Sequence, residues 1–124
     1  MKIGSAMLGH EDDRGRIFDL ILDEEIGAIG HVTFTPGAIR GNHIHKKTTQ
    51  WNYIVSGRLV ASVVEASGNS HELVLGPGDL LKVGPGEAHA FRAEADTHMM
   101  VFTMGPRAGK EYESDTYRLE RQLL

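Results

Sequence analysis

Three histidines and one glutamine are the side chains of this sequence best suited to chemistry. His43 and His45 stand two apart in the stretch Gly37–Gly57, GAIRGNHIHKKTTQWNYIVSG, so an extended backbone turns both imidazoles to one face of a sheet. Gln50 follows after four intervening residues, and Gly57 closes the stretch. A second stretch, Gly78–His89, GDLLKVGPGEAH, brings a third histidine behind a Gly-Asp turn and a Gly-Pro-Gly turn. Neutral imidazoles are ligands for first-row divalent metals, and an imidazole near its ordinary pKa is also a base at neutral pH. The spacing leaves open a metal site, a proton-transfer site and a metal-free cluster of hydrogen-bonded polar groups.

The absence of cysteine removes thiolate ligands, disulfides and cysteine nucleophiles, leaving His, Asp, Glu and Gln as candidate ligands. A chain of 124 residues has the size of one domain with one core, so any chemistry sits in or on that fold. With 13 Lys and Arg against 17 Asp and Glu, the formal charge of −4 argues against a sequence-independent nucleic-acid binder and for a small-molecule ligand. The N-terminal MKIGSAMLGHEDDRG lacks a sustained apolar run. Neither a signal peptide nor a membrane span is expected from it, and the expected location is the cytoplasm.

The elements that must position the histidines read as short β-strands. From Arg14 onward, apolar runs bounded by Gly, Pro, Asn and Asp predict strands at Arg16–Leu22, Ile29–Thr35, His43–Lys46, Trp51–Val55, Arg58–Glu65, His71–Leu75, Leu80–Val83, His89–Arg92 and His98–Met104. Turns fall at Pro36-Gly37, Ser56-Gly57, Ser67-Gly68-Asn69, Gly76-Pro77-Gly78 and Gly84-Pro85-Gly86. Strands at this spacing, with no amphipathic helix of useful length between them, predict an all-β sandwich or barrel. Residues 105–124 turn charged and poor in β-branched side chains. They read as a strand and turn across the barrel, a short helix over 116–123, or a frayed end.

The two histidine stretches resemble the paired motifs of the cupin family. The first fits G-x5-H-x-H-x4-E-x6-G at every spacing, with Gln50 in place of the usual Glu. In the second, the glycines and His89 keep their places, Gly84 replaces one proline and Ala93 stands where Asn is common. The resemblance implies a double-stranded β-helix, a jelly-roll barrel whose mouth holds the site. It implies one domain over residues 1–124, with the barrel core at about 14–104 and a tail at 105–124. It further implies that His43, His45, Gln50 and His89 converge on a divalent ion, with zinc, nickel or iron preferred over magnesium by imidazole ligands. Gln for Glu removes one negative charge from that set, leaving a stronger Lewis acid that is held less tightly.

The segment GHVTFTPGAIRGNHIHKKTTQ is also similar to cupins that epimerise or isomerise nucleotide-linked keto-sugars, including the C-terminal domain of bacterial capsule-biosynthesis enzymes. Asp13-Arg14-Gly15, Arg40 to His45 and Asp115-Thr116-Tyr117 occur in the order of that branch. This likeness implies enolisation of a sugar, with His43 as base, Arg40 facing nucleotide phosphates, His31 and Thr33 as polar groups beside them, and Tyr53 as a candidate acid. The spacing H-x-H-x4-Q is similar, too, to small cupins that open unsaturated uronate rings, and three-histidine cupins include iron oxygenases and non-catalytic binding modules. Trp51 and Tyr53 alternate with Gln50 and Asn52, so one pair faces in and the other out. Outward aromatics, with open sheet edges, lead us to expect a homodimer.

Overall fold

In the computed structural model, which describes residues 1–106 and 114–124, the described residues form strands and loops and no helix. The strands are β1 (Lys2–Ser5), β2 (Met7–Asp12), β3 (Gly15–Asp19), β4 (Ala28–Phe34), β5 (Ile39–Ile44), β6 (Thr49–Ser56), β7 (Leu59–Val64), β8 (Ser70–Leu75), β9 (Asp79–Val83), β10 (Ala88–Ala93), β11 (Thr97–Met104) and β12 (Tyr117–Arg118). One five-stranded sheet runs β1-β9-β6-β11-β4, the other β12-β5-β10-β7-β8, and β2-β3 is a separate hairpin. Every pairing is antiparallel. The architecture is the all-β jelly-roll barrel that the motifs imply.

Alternation decides which side chains enter the barrel. On β6, Gln50, Asn52 and Ile54 are buried; on β7, so are Leu59, Ala61 and Val63. The apolar layer gathers Ile54, Leu59, Val63, Leu81, Phe91 and Val101. Each fully buried aliphatic side chain contributes about 1.5–3 kcal/mol relative to exposure. This layer fixes the separation of the two sheets, and the polar side chains lie beyond it at one end.

A bulge beside the first histidine sets the geometry of that end. His89 of β10 pairs with His43 of β5, but the next residue, Ala90, pairs with Gly41, so Asn42 is an extra residue on β5. Gly41 and Asn42 both have positive φ, 96° and 56°. Strict alternation would put Arg40 on the face opposite His43, whereas the extra residue resets the pleat. Phe91 now lies opposite Arg40, and Phe91 shares its face with His89. Arg40 and His43 therefore look into the same cavity.

Several boundaries differ from expectation. The barrel starts before residue 14, because β1 pairs with β9, and the expected strand at Arg16–Leu22 is part of the separate hairpin. The histidine strand begins at Ile39 rather than His43. Residues 107–113 of the expected tail lie outside the described residues. Beyond them, Tyr117–Arg118 pairs with β5, which corrects the helical alternative for 116–123. Among the described residues no helix is long and apolar enough to cross a membrane.

Gly41 is expected to be irreplaceable. A Cβ there would lie 2.9 Å from the carbonyl oxygen of His89 and 3.1 Å from Cα of Ala90, whereas at Gly68, which has the same φ of 96°, nothing lies within 4 Å. Gly68→Ala should lose about 1–2 kcal/mol from backbone strain alone. Gly41→Ala should lose clearly more, read by urea denaturation of the two variants side by side.

Candidate metal centre and its cavity

The pairing of β5 with β10 puts the imidazoles of His43 and His89 opposite each other, and His45, two residues on, joins them. Ring centroids lie 4.7 Å apart for His43–His45, 4.6 Å for His43–His89 and 5.3 Å for His45–His89. One nitrogen from each ring lies within 4.8 Å of the others, and all three residues are buried. The Nδ1 of His45 is 2.8 Å from the carbonyl oxygen of Asp115. A carbonyl only accepts, so Nδ1 carries the proton and Nε2 turns its lone pair to the cluster. His89 Nδ1 makes a longer contact of the same kind, 3.4 Å, to the carbonyl of Glu87.

Gln50 enters from the opposite sheet. Its amide orientation follows from a short chain of bonds: the Leu81 carbonyl accepts from Asn52 Nδ2 at 3.1 Å, which leaves Asn52 Oδ1 to accept from Gln50 Nε2 at 2.6 Å. Gln50 Oε1 is left buried, accepting no hydrogen bond among the described residues. A buried acceptor without a donor is costly, and imidazole lone pairs converging nearby add to the demand for a cation. Three neutral imidazoles and an amide oxygen fit a divalent transition metal. This site can hold such an ion.

The cluster opens into a cavity of about 310 Å3, near the small end of the roughly 300–1,000 Å3 common for ligand sites. His43, His89, Arg40 and Arg118 lie on one side of it, with Phe91 and Ile39. Val32, Phe34, Met99 and Val101 form the facing apolar wall, and Gln50 projects from that sheet. Among the described residues, none that lines it is acidic. Arg40 stands at the mouth, its guanidinium 5.5 Å from the Phe34 ring centroid and donating to the Thr33 carbonyl at 3.2 Å.

Not every expected residue reaches this cavity. His31 and Thr33 are exposed on the outer face of β4, because Val32 and Phe34 turn inward; His31 Nε2 instead lies 2.9 Å from His98 Nδ1. Substrate binding by His31 and Thr33 in this cavity is corrected accordingly. Tyr53 follows the same rule: with Gln50 and Asn52 inside, it lies on the outer face and does not line the cavity, so it is not the acid of this site. Trp51, expected to meet a partner, is 5% exposed within its own chain, with Lys82 Nζ 5.4 Å from its ring centroid.

Three further residues shape the site, and of these only Asp115 stood in a motif, the Asp115-Thr116-Tyr117 flank, with no role assigned to it. Asn52 orients Gln50. Asp115 reaches His45 from 70 residues away. Arg118 pairs with His43 across β12 and β5 and so faces the same cavity. Asn52 was accessible from its place two residues after Gln50; the other two depend on where the last segment folds back.

The chain belongs to the cupin family: the Cupin domain family matches residues 30–105. Among curated proteins it is similar to germin-like protein 3-8 of Oryza sativa subsp. japonica, 34% identical over 62 residues covering 50% of this chain and 28% of the relative. It is also similar to oxalate decarboxylase OxdC of Bacillus subtilis (strain 168), 29% identical over 103 residues covering 82% of this chain and 25% of the relative. The chain thus spans about a quarter of the length of these curated relatives. Among solved structures, a 3,4-ketoisomerase from Helicobacter canadensis superposes with a TM-score of 0.77 at 21% identity, over 95% of this chain and 90% of that one.

Loss of any one imidazole should cost more metal affinity than the about 10–100-fold typical of losing an outer hydrogen-bond partner. Chelator competition on His43→Ala, His45→Ala and His89→Ala measures this. Gln50→Glu should behave oppositely in the two states. Without metal, its carboxylate meets Asn52 Oδ1 and lowers the melting temperature; with metal, the added charge tightens binding and the gain in melting temperature exceeds the parent's.

Proposed function

We propose that this cupin is a carbohydrate-active isomerase that shifts the carbonyl of a keto-sugar, nucleotide-linked, by enolisation. The supporting observation is the bulge at Gly41–Asn42, which brings a buried imidazole, His43, and a guanidinium at the mouth, Arg40, onto one wall of one cavity. His43 removes the proton on the carbon next to the ketone, and the electron pair of that C–H bond moves onto the carbonyl oxygen to give an enolate. Arg40 and Arg118 hold the anionic part of the substrate outside the cavity, whose volume suits one sugar unit.

The distribution of groups between the walls favours isomerisation over epimerisation. Inverting a carbon needs proton donation on the face opposite abstraction, but among the described residues the facing wall offers Val32, Phe34, Met99, Val101 and the amide of Gln50, none of them an acid, and Tyr53 is outside. A carbonyl shift needs one base on one face: a proton leaves one carbon and a proton is delivered to its neighbour, while the hydroxyl proton of the first carbon passes to the enolate oxygen of the second. His43 can serve both carbon centres. The likeness to a 3,4-ketoisomerase supports the same reading at the level of fold.

The convergence of three imidazoles supports a second reading, a zinc, nickel or iron centre on His43, His45, His89 and Gln50. Bound there, the ion supplies positive charge to an oxyanion, and His43, with its lone pair engaged, is no longer a base. Substrates of that state are small oxyacids or unsaturated uronates, and iron with oxygen uptake would define an oxygenase. A homodimer is also inferred: the β2-β3 hairpin leaves Met7, Leu8, Ile17 and Phe18 between 47% and 61% exposed, and two strands alone are marginal in water.

Incubation with a 4-keto-6-deoxy sugar nucleotide in D2O is expected to give the carbonyl-shifted sugar carrying deuterium at the carbon that held the ketone, through exchange of the imidazole proton with solvent. His43→Asn should abolish it and Arg40→Ala should chiefly raise KM. Activity that survives chelator supports His43 as base; activity restored only by metal supports the second reading. An inverted product would require a proton donor on the second face. Sedimentation at micromolar concentration should find a dimer, and a monomer there would remove the inference from the hairpin.

A further inference from the structure

We infer that Asp115 is a positioning residue for the histidine cluster, fixing both the ring of His45 and the turn that separates His45 from Gln50. The inference rests on the reading that His45 and Gln50 belong to the functional cluster.

Asp115 is 2% exposed. Its backbone carbonyl accepts from His45 Nδ1 at 2.8 Å. Its carboxylate accepts from the backbone N–H of Lys46 at 3.1 Å, from those of Lys47 and Thr48 at 2.9 Å each, and from Thr48 Oγ1 at 2.9 Å. Three successive N–H groups directed at one point form a concavity that calls for an anion, and the carboxylate supplies it. Burial pushes the Asp115 carboxyl up, but the hydrogen bonds from Lys47, Thr48 and Lys46 outweigh it and hold the group below the ordinary aspartate value.

The turn itself, Lys46-Lys47-Thr48-Thr49, holds neither glycine nor proline, so its own sequence selects no single shape. Contacts from elsewhere select it. On one side sits Asp115; on the other Gly105, at φ 121°, passes so close that a Cβ there would lie 3.0 Å from Thr48 Cα. The last residues are tied down as well, since Asn42 Oδ1 accepts from Leu123 N at 2.7 Å and the Asn42 carbonyl from Leu119 N at 3.0 Å. The four-residue spacer between His45 and Gln50 is thus shaped by a segment about 70 residues downstream. An imidazole without such a partner interconverts between tautomers and ring orientations, and presents Nε2 to the cluster only part of the time.

The test uses the full chain, metal-free, with 15N-labelled histidine, and reads each ring's tautomer from long-range proton–nitrogen correlations. In the parent, His45 is expected as the Nδ1–H form. Asp115→Ala keeps the carbonyl that accepts from His45 but frees it from the Lys46–Thr48 turn that the carboxylate anchors; it should therefore mix the His45 tautomers while leaving His89 unchanged, and should weaken Zn2+ binding, measured against a competing chelator, by about 10–100-fold. Asp115→Asn, which keeps one acceptor oxygen, should fall between. A core variant, Leu75→Ala, should melt lower than the parent yet keep the parent tautomer and zinc affinity. Parent-like tautomer and affinity in Asp115→Ala would overturn the inference; if that variant does not fold, the same result in Asp115→Asn does so. Should His45→Ala bind zinc as well as the parent, the ligand reading fails, and the tautomer measurement still decides the role of Asp115.

Discussion

The antiparallel contact between β5 and β10, with one residue too many on β5, is the constraint on which the site depends. His43 and His89 face each other because of that pairing, and Arg40 joins them because Gly41 and Asn42 occupy the left-handed region and reset the pleat. Only a chain without a Cβ at position 41 can run so close to the β10 backbone. The bulge gives up regular pairing at one position and places Arg40 and His43 on one wall of the cavity.

Keeping three imidazoles, an amide and a carboxylate out of water has a cost, and the fold meets it group by group. Asn52 takes the amide N–H of Gln50 and passes the demand to the Leu81 carbonyl. Asp115 takes one ring proton and three backbone donors. The three imidazoles each offer a nitrogen within 4.8 Å of the others, and the Gln50 oxygen is buried without a donor among the described residues. Hydrogen bonds at the periphery aim the acceptors inward, so the demand for a positive centre follows from the whole network rather than from any single ligand.

Much of this was legible from residue order. Short apolar runs between Gly and Pro turns gave the all-β class, and the paired motifs gave the barrel and the family. The hairpin and β1 were less legible, because their side chains are largely exposed and lack the alternation that marks a half-buried strand. Tyr53 and the pair His31 and Thr33 are instructive for a different reason. The alternation that turns Gln50 inward turns Tyr53 outward, and apolar Val32 and Phe34 claim the inside of β4. Periodicity already opposed those three assignments; the family likeness had drawn them in. Arg118 was hidden because a two-residue strand has no pattern to detect, and Asp115, though present in the Asp115-Thr116-Tyr117 flank, has a role that depends on a contact 70 residues away.

Electrostatics adds a last step. The chain carries a formal charge of −4, yet its cavity is lined by two arginines and, among the described residues, by no carboxylate. With Gln50 where the motif usually has Glu, an ion held by neutral imidazoles and an amide would keep its full divalent charge. Without an ion, Arg40 and Arg118 are the charged side chains that line the cavity among the described residues. In either state the interior is positive against apolar walls, where low polarisability strengthens each interaction. An enolate, a carboxylate or a phosphate is stabilised in such a place, and a cationic or neutral amine is not. The same field favours negative charge developing on a substrate oxygen, which is the charge that removal of a carbon-bound proton creates.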